Sequence, residues 1–186
     1  KKEKKAVLHS MRFNVVQLVL LSIIISVVSL LIIVIPVADN AISTLAESYM
    51  RDVCDTCGLN VDAALNRSGN IILNQAYLET LIGDVCINDL DSSYAYVVGS
   101  DGTMIYHPDE SKVGQPVENT AIKQVVADLE AGKEQQKGMA IYEFRGAEKY
   151  AAYYVTSNKA AILVITADRG DISVSYTHLT LPTTSR

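Results

Sequence analysis

The chain has 186 residues, 49% of them hydrophobic, with 16 Lys plus Arg against 21 Asp plus Glu and a formal net charge of −5. That length holds one domain plus a membrane segment. From Val37 to Ser173 there are 20 acidic and 10 basic residues, a balance that argues against nucleic acid and anionic lipid as partners of this segment, because both require a basic face, and that the solubility of an exposed domain explains equally well.

The apolar content is concentrated near the start. Val15 to Ile35 is a run of 21 residues without a charge, broken only by Gln17, Ser22, Ser26 and Ser29. A helix of that length spans roughly 30 Å, the thickness of a bilayer's hydrocarbon core, so residues 15–35 are expected to cross a membrane. A secretory signal is the lesser alternative, since its apolar core runs to about 15 residues and no small-x-small cleavage pattern follows Ile35. Residues 1–14 carry Lys1, Lys2, Lys4, Lys5 and Arg12 against Glu3. A basic flank stays in the cytoplasm, which places everything after Pro36 outside it in a single-pass protein of the cell membrane.

Residues 37–67 are expected to form one long membrane-proximal helix, with Ile42, Leu45, Tyr49 and Val53 as an apolar stripe at three-to-four spacing. Such a stripe packs a core, and beside a membrane it also suits pairing with a second subunit as a homodimer. Ser68-Gly69-Asn70 breaks the pattern. Ile71 to Ile82 then reads as a shorter helix ended by Gly83, and residues 84–93 as a connector.

The centre of the chain is Asp91 to Gly114. Tyr94 to Val98 and Thr103 to His107 are rich in β-branched and aromatic residues and flank Ser100-Asp101-Gly102, a strong hairpin signal. Proline offers no amide hydrogen to a neighbouring strand, so the second strand should stop at His107-Pro108, and Asp109 to Val117 should cross one sheet face as a loop. Asn119 caps a helix bearing Ile122, Val125, Val126 and Leu129, with Gly132 at its end. Strands are expected at Met139 to Phe144, Lys149 to Val155 and Ala160 to Ala167, joined by turns at Arg145-Gly146-Ala147 and Thr156 to Lys159. The fold class is therefore α+β, a five-stranded antiparallel sheet with helices on it. Val174 to Arg186 shares no periodicity with what precedes it, resembles an in-frame translation of a sequencing adaptor, and is expected to be a non-native tail.

At YVVGSDGTMIYHPDESKVGQPV the chain resembles the Cache family, the extracellular sensor domains of bacterial chemoreceptors and sensor kinases. The matching features are Tyr94 to Val98, Asp101-Gly102, Tyr106-His107-Pro108 and Gly114, followed by Lys149 to Asp168, which is similar to the last two strands of the family. Asp91 to Asp168 also resembles the sensor region of methyl-accepting chemotaxis proteins. The resemblance implies a PAS-like core over residues 91–168 within a single Cache domain over residues 37–173, binding a small extracellular ligand. It implies further parts beyond this stretch, reaching a chemotaxis kinase through an adaptor; a histidine kinase or cyclic-dinucleotide enzyme as the output, or an anchored domain without ligand, are the alternatives.

Tyrosine suits a pocket of apolar wall and polar tip, and seven of the ten tyrosines lie between Tyr94 and Tyr154. Candidate ligand contacts are Tyr94, Tyr96, Tyr106, His107, Lys149 and Tyr153, with Lys149 or Arg145 placed to pair with a carboxylate. Each has a plain structural alternative: the tyrosines pack a sheet, His107 fixes a turn, and the cations are solvated. The chain has no tryptophan and so lacks the arginine-tryptophan-tyrosine motif by which some double Cache domains hold amino acids, which favours small carboxylates and other metabolites.

Cys54, Cys57 and Cys86 are an odd set outside the cytoplasm, with a disulfide from Cys86 to Cys57 or to Cys54 expected. Cys54-x-x-Cys57 alone supplies too few ligands for structural zinc, so no metal is expected. No G-x-S-x-G, HExxH or phosphate loop is present, and neither an enzyme activity nor a cofactor is expected.

Overall fold

The computed structural model describes residues 2–67, 73–87, 90 and 92–172. The expected tail at 174–186, the break at Ser68-Gly69-Asn70 and the first two residues of the expected second helix lie outside the described residues. The chain divides into two compact units, residues 1–41 and 42–186.

The first unit is helical. Helix α1 spans Lys2–Arg67 and holds Pro36 within it. Among the described residues it is the one helix long and apolar enough to cross a membrane, and the side chains of residues 15–35 are exposed along its whole circumference.

The second unit is the α+β domain. Its sheet runs in the order β2-β1-β5-β4-β3 and is antiparallel throughout, with β1 Tyr94–Gly99, β2 Met104–Tyr106, β3 Lys137–Phe144, β4 Ala147–Val155 and β5 Ala161–Asp168. Strand β5, AILVITAD, is central and buried over its first seven residues, as a near-continuous apolar strand covered on both faces must be. Edge strand β3 is mostly exposed or half-buried, with Tyr142 buried and Ile141 51% exposed.

One face of the sheet is covered by residues 42–67 of α1 and by α2, Gln75–Ile82. The buried ridge of α1 is Ala46, Met50, Cys54 and Val61. This corrects the expected stripe by one position: Leu45 and Tyr49 are exposed, while Ile42 and Val53 are half-buried. Small residues face the sheet because the helix lies close to it, and at Gly58 an added Cβ would stand 2.2 Å from the Tyr154 ring. Helix α2 is shorter than the expected 71–82, starting behind its Asn74 cap, whose side chain accepts from the Tyr77 N–H. Gly83 ends it in a right-handed conformation (φ −61°) rather than a left-handed one; a Cβ there would meet the Glu79 carbonyl at 2.4 Å.

The other face is covered by α3, Thr120–Glu130, through Ile122, Val125 and Val126. Strand β2 stops at Tyr106, one residue before the His107-Pro108 step, and Gly102 (φ 80°) makes the hairpin turn. The exit loop departs from expectation. After a 3-10 turn at Glu110–Lys112, its residues 114–117 run alongside residues 102–104: the Gly114 N–H donates to the Met104 carbonyl, the Met104 N–H to the Gln115 carbonyl and the Val117 N–H to the Gly102 carbonyl. The loop therefore satisfies the open edge of a three-residue strand that would otherwise expose its backbone.

Candidate functional site

Strand alternation sends Tyr94 and Tyr96 to the α3 side of the sheet. His107 joins them from the end of β2. Its ring is 5.2 Å from that of Tyr94 at 63° and 5.9 Å from that of Tyr96 at 41°, and the two tyrosine rings are 6.1 Å apart. Because Pro108 ends the ladder, the His107 backbone is held instead by Gln75, the first residue of α2: Nε2 of Gln75 donates to the His107 carbonyl at 3.1 Å, and the His107 N–H donates to Oε1 at 3.2 Å.

Nδ1 of His107 accepts from the Asp109 N–H at 2.9 Å, which leaves the hydrogen of the neutral ring on Nε2. Burial and then the nearby Lys112 hold this imidazole below its ordinary pKa, against opposing pulls from Asp109 and Glu118. The group is accordingly an uncharged donor at neutral pH.

Asn119 serves two elements. Its Oδ1 accepts from the N–H groups of Ala121 and Ile122, capping α3, and its Nδ2 donates to the Tyr96 hydroxyl at 3.1 Å. Burial drives the pKa of Tyr96 well up and that of Tyr94 up to about 12, so both remain neutral phenols. On the neighbouring strands the Thr166 hydroxyl donates to the Tyr150 carbonyl at 2.9 Å, so the hydrogen in the 2.9 Å contact between Tyr142 and Thr166 belongs to Tyr142.

These side chains surround a cavity of about 20 Å³ lined by Tyr94, Tyr96, His107, Asn119, Tyr142 and Phe144 together with Met104, Lys112 and Glu118. It has room for about one water. An outer groove of about 730 Å³ adjoins it, sharing the wall of Tyr94, His107, Lys112 and Phe144 and adding Asp109 and Arg145. The arrangement can bind: it offers neutral donors beside Glu118 inside, and in the groove two cations, Lys112 and Arg145, with two carboxylates, Asp84 and Asp109. Among the described residues no group of three or more His, Cys, Asp or Glu side chains is placed to hold a metal.

Of the six expected contacts, Tyr94, Tyr96 and His107 come together. Tyr106 does not; it is 1% exposed on the opposite face, in the core shared with α1 and α2. Tyr153 is on the α3 side but away from the cavity, its hydroxyl donating to Gln135 Oε1 at 3.1 Å. Lys149 is paired with Asp168, its register partner on β5. Of the two cysteines of the expected bridge, Cys57 is half-buried in the core between α1 and the sheet and Cys86 is exposed. Sequence reasoning missed Asn119, Tyr142, Phe144, Lys112 and Glu118. Alternation along β3 puts Tyr142 and Phe144 on one face and was the available signal for that pair; the loop residues carried none.

No protein-family model matches the sequence, and no curated protein matches it. Among solved structures, the Escherichia coli DcuS sensor domain is 15% identical, with 74% of this chain and 98% of that domain covered and a TM-score of 0.48. A Cache chemosensory domain described for carboxylic acid recognition is 16% identical, with 66% and 92% covered and a TM-score of 0.48. The ligand-binding domain of Mlp24, solved with asparagine, is 15% identical, with 53% of this chain covered and a TM-score of 0.40. The chain spans 37–40% of the length of that domain and of two histidine kinase extracellular domains. The similarities are thus to sensor, chemosensory and ligand-binding domains.

Proposed function

We propose that residues 42–172 are a Cache-type sensor domain that binds a small metabolite, a small carboxylate above all, between β1, β3 and α3, and that the chain is the sensory part of a membrane chemoreceptor. The observation that carries this reading is the buried meeting of Tyr94, Tyr96 and His107 with Asn119. Buried polar tips beside apolar wall recognise a ligand by geometry, because a group left unpaired there is costly. The role is binding rather than catalysis. Residues 15–35 anchor the domain with residues 1–14 in the cytoplasm and the sensor outside. The exposed Leu45, Tyr49 and Leu59 of α1 suit a homodimer, and the output passes to a chemotaxis kinase and its adaptor through parts beyond this sequence; a histidine kinase or cyclic-dinucleotide enzyme is the alternative output.

One observation favours a different reading. At about 20 Å³ the cavity is nearly filled by its own side chains, as in an anchored structural domain with no ligand. Calorimetry of the full chain in detergent against a panel of small carboxylates and amino compounds separates the two. Saturable binding, weakened about tenfold by Tyr96→Phe and by His107→Gln, supports the sensor. Absence of binding across the panel supports the structural domain.

A further inference from the structure

Gln75 opens α2, a helix that packs on the α1 side of the sheet through Leu78 and Ile82, yet its side chain reaches the end of β2. A carboxamide carries one acceptor oxygen and one donor nitrogen, and Gln75 uses both on His107: Oε1 accepts from the His107 N–H at 3.2 Å and Nε2 donates to the His107 carbonyl at 3.1 Å. These are the two bonds that a strand residue exchanges with its partner in an antiparallel pair. A side chain supplies them here because β2 ends at Tyr106 and Pro108 has no N–H with which to continue a ladder. The ring is held separately, by the Asp109 N–H on Nδ1 at 2.9 Å and by the rings of Tyr94 and Tyr96. With N–H, carbonyl and Nδ1 engaged, Nε2–H is the remaining polar group of a residue that is 6% exposed and lines both the cavity and the outer groove.

We propose that Gln75 is a positioning residue of the binding site: through its two bonds α2 sets the backbone of His107, and with it the one donor that the imidazole offers a ligand. The bond from the Asp109 N–H to Nδ1 spans two residues, so it depends on the backbone that Gln75 fixes. Without the amide, residue 107 is released at a point where no strand holds it. The Nδ1 bond then loosens, and the hydrogen of the neutral ring divides between its two nitrogens. A ligand oxygen that accepts from Nε2 meets a donor only part of the time. The inference rests on the binding reading above and deepens it, naming Gln75 as the residue that acts on the ligand through His107.

The chain has three histidines, so nitrogen-15 labelling of histidine in the full chain in detergent gives three imidazoles by NMR, and the one lost in His107→Gln is His107. In the parent at neutral pH this ring should show one bare nitrogen, Nδ1, and one protonated nitrogen, Nε2. Gln75→Ala should draw the two nitrogen shifts together as the tautomers mix, and should raise the pKa of the ring toward about 6.5 as it takes up water. Gln75→Met, which keeps the length of the side chain and neither bond, should do the same. Lys112, Asp109 and Glu118, which also act on the ring, are unchanged in both variants. The spectra read folded molecules, so a loss of stability alone leaves them as they were. An unaltered tautomer in either variant overturns the proposal, since the two bonds would not then be what fixes the ring. Calorimetry against small carboxylates should find Gln75→Ala, His107→Gln and their double variant each weakened about tenfold, because all three lose the same placed donor. A double variant weakened about a hundredfold overturns action through His107. The tautomer measurement needs no ligand, so it fails independently of the binding reading, which the calorimetry of Tyr96→Phe tests.

Discussion

The Asp62 carboxylate of α1 accepts from the Ser157 N–H at 2.9 Å and from the Ser157 hydroxyl at 2.6 Å, and the Tyr154 hydroxyl donates to it at 3.1 Å. One buried acid thus ties the helix to the turn between β4 and β5, satisfying two groups of that turn and one of β4. Asp62→Ala leaves the Tyr154 hydroxyl and the Ser157 groups without their acceptor, at a cost of about 2–3 kcal/mol. That corresponds to a melting temperature roughly 5–10 °C lower for the full chain in detergent. Asp62→Asn keeps an acceptor and should lose about half as much. If the alanine variant melts within about 1 °C of the parent, the link is not structural.

Gly58 lies mid-helix, where alanine would ordinarily gain about 1 kcal/mol. Here the Cβ would stand 2.2 Å from the Tyr154 ring, and relief requires moving a residue whose hydroxyl is engaged with Asp62. Gly58→Ala should therefore destabilise by about 1–3 kcal/mol despite its better helix propensity. A higher melting temperature would mean that the helix can move off the sheet without loss.

The same pair shows which parts of the fold were legible. Strands β4 and β5 stand out because their apolar runs are bounded by Arg145-Gly146 and Thr156 to Lys159, and the hairpin because Gly102 occupies a position that only a left-handed turn explains. The facing of α1 was not legible. Apolar weight favours Leu45 and Tyr49, yet close approach to the sheet selects the small Ala46 and Gly58, and smallness leaves no hydrophobic signal. Tyr106 faces away from the pocket because neighbours in an extended segment take opposite faces: it pairs with Val97 on the α1 side of the sheet, while His107 meets Tyr94 and Tyr96 on the other. Lys112 and Glu118 belong to a loop whose path depends on backbone bonds to residues 102–104, a relation without period.

The depressed pKa of His107 makes stability depend on pH. In the unfolded chain the imidazole charges below about 6.5, whereas in the folded chain burial and Lys112 keep it neutral to lower pH. Between those two values the unfolded state binds more protons, so stability falls as pH drops through about 6.5 and is unaffected by this group at higher pH. Melting temperatures taken from pH 8 to pH 5 should decline more steeply for the parent than for His107→Gln. Parallel curves would mean that Asp109 and Glu118, which face the ring, compensate for its burial.

Asn119 couples the cap of α3 to the Tyr96 hydroxyl, so its replacement acts on two elements at once. Asn119→Ala removes a cap worth about 1 kcal/mol and leaves a buried phenol unpartnered for about 1 kcal/mol more. Asn119→Asp retains the cap, and the Tyr96 hydroxyl can turn to donate to the new carboxylate, so it should cost little. Combined with Tyr96→Phe, the alanine variant should lose only the cap, because the orphaned hydroxyl is gone. A double-mutant cycle on melting temperature reads this directly: a coupling near zero would place the Asn119–Tyr96 contact outside the energetics of the site, whereas a coupling of about 1 kcal/mol would make it the bond that holds the pocket against α3.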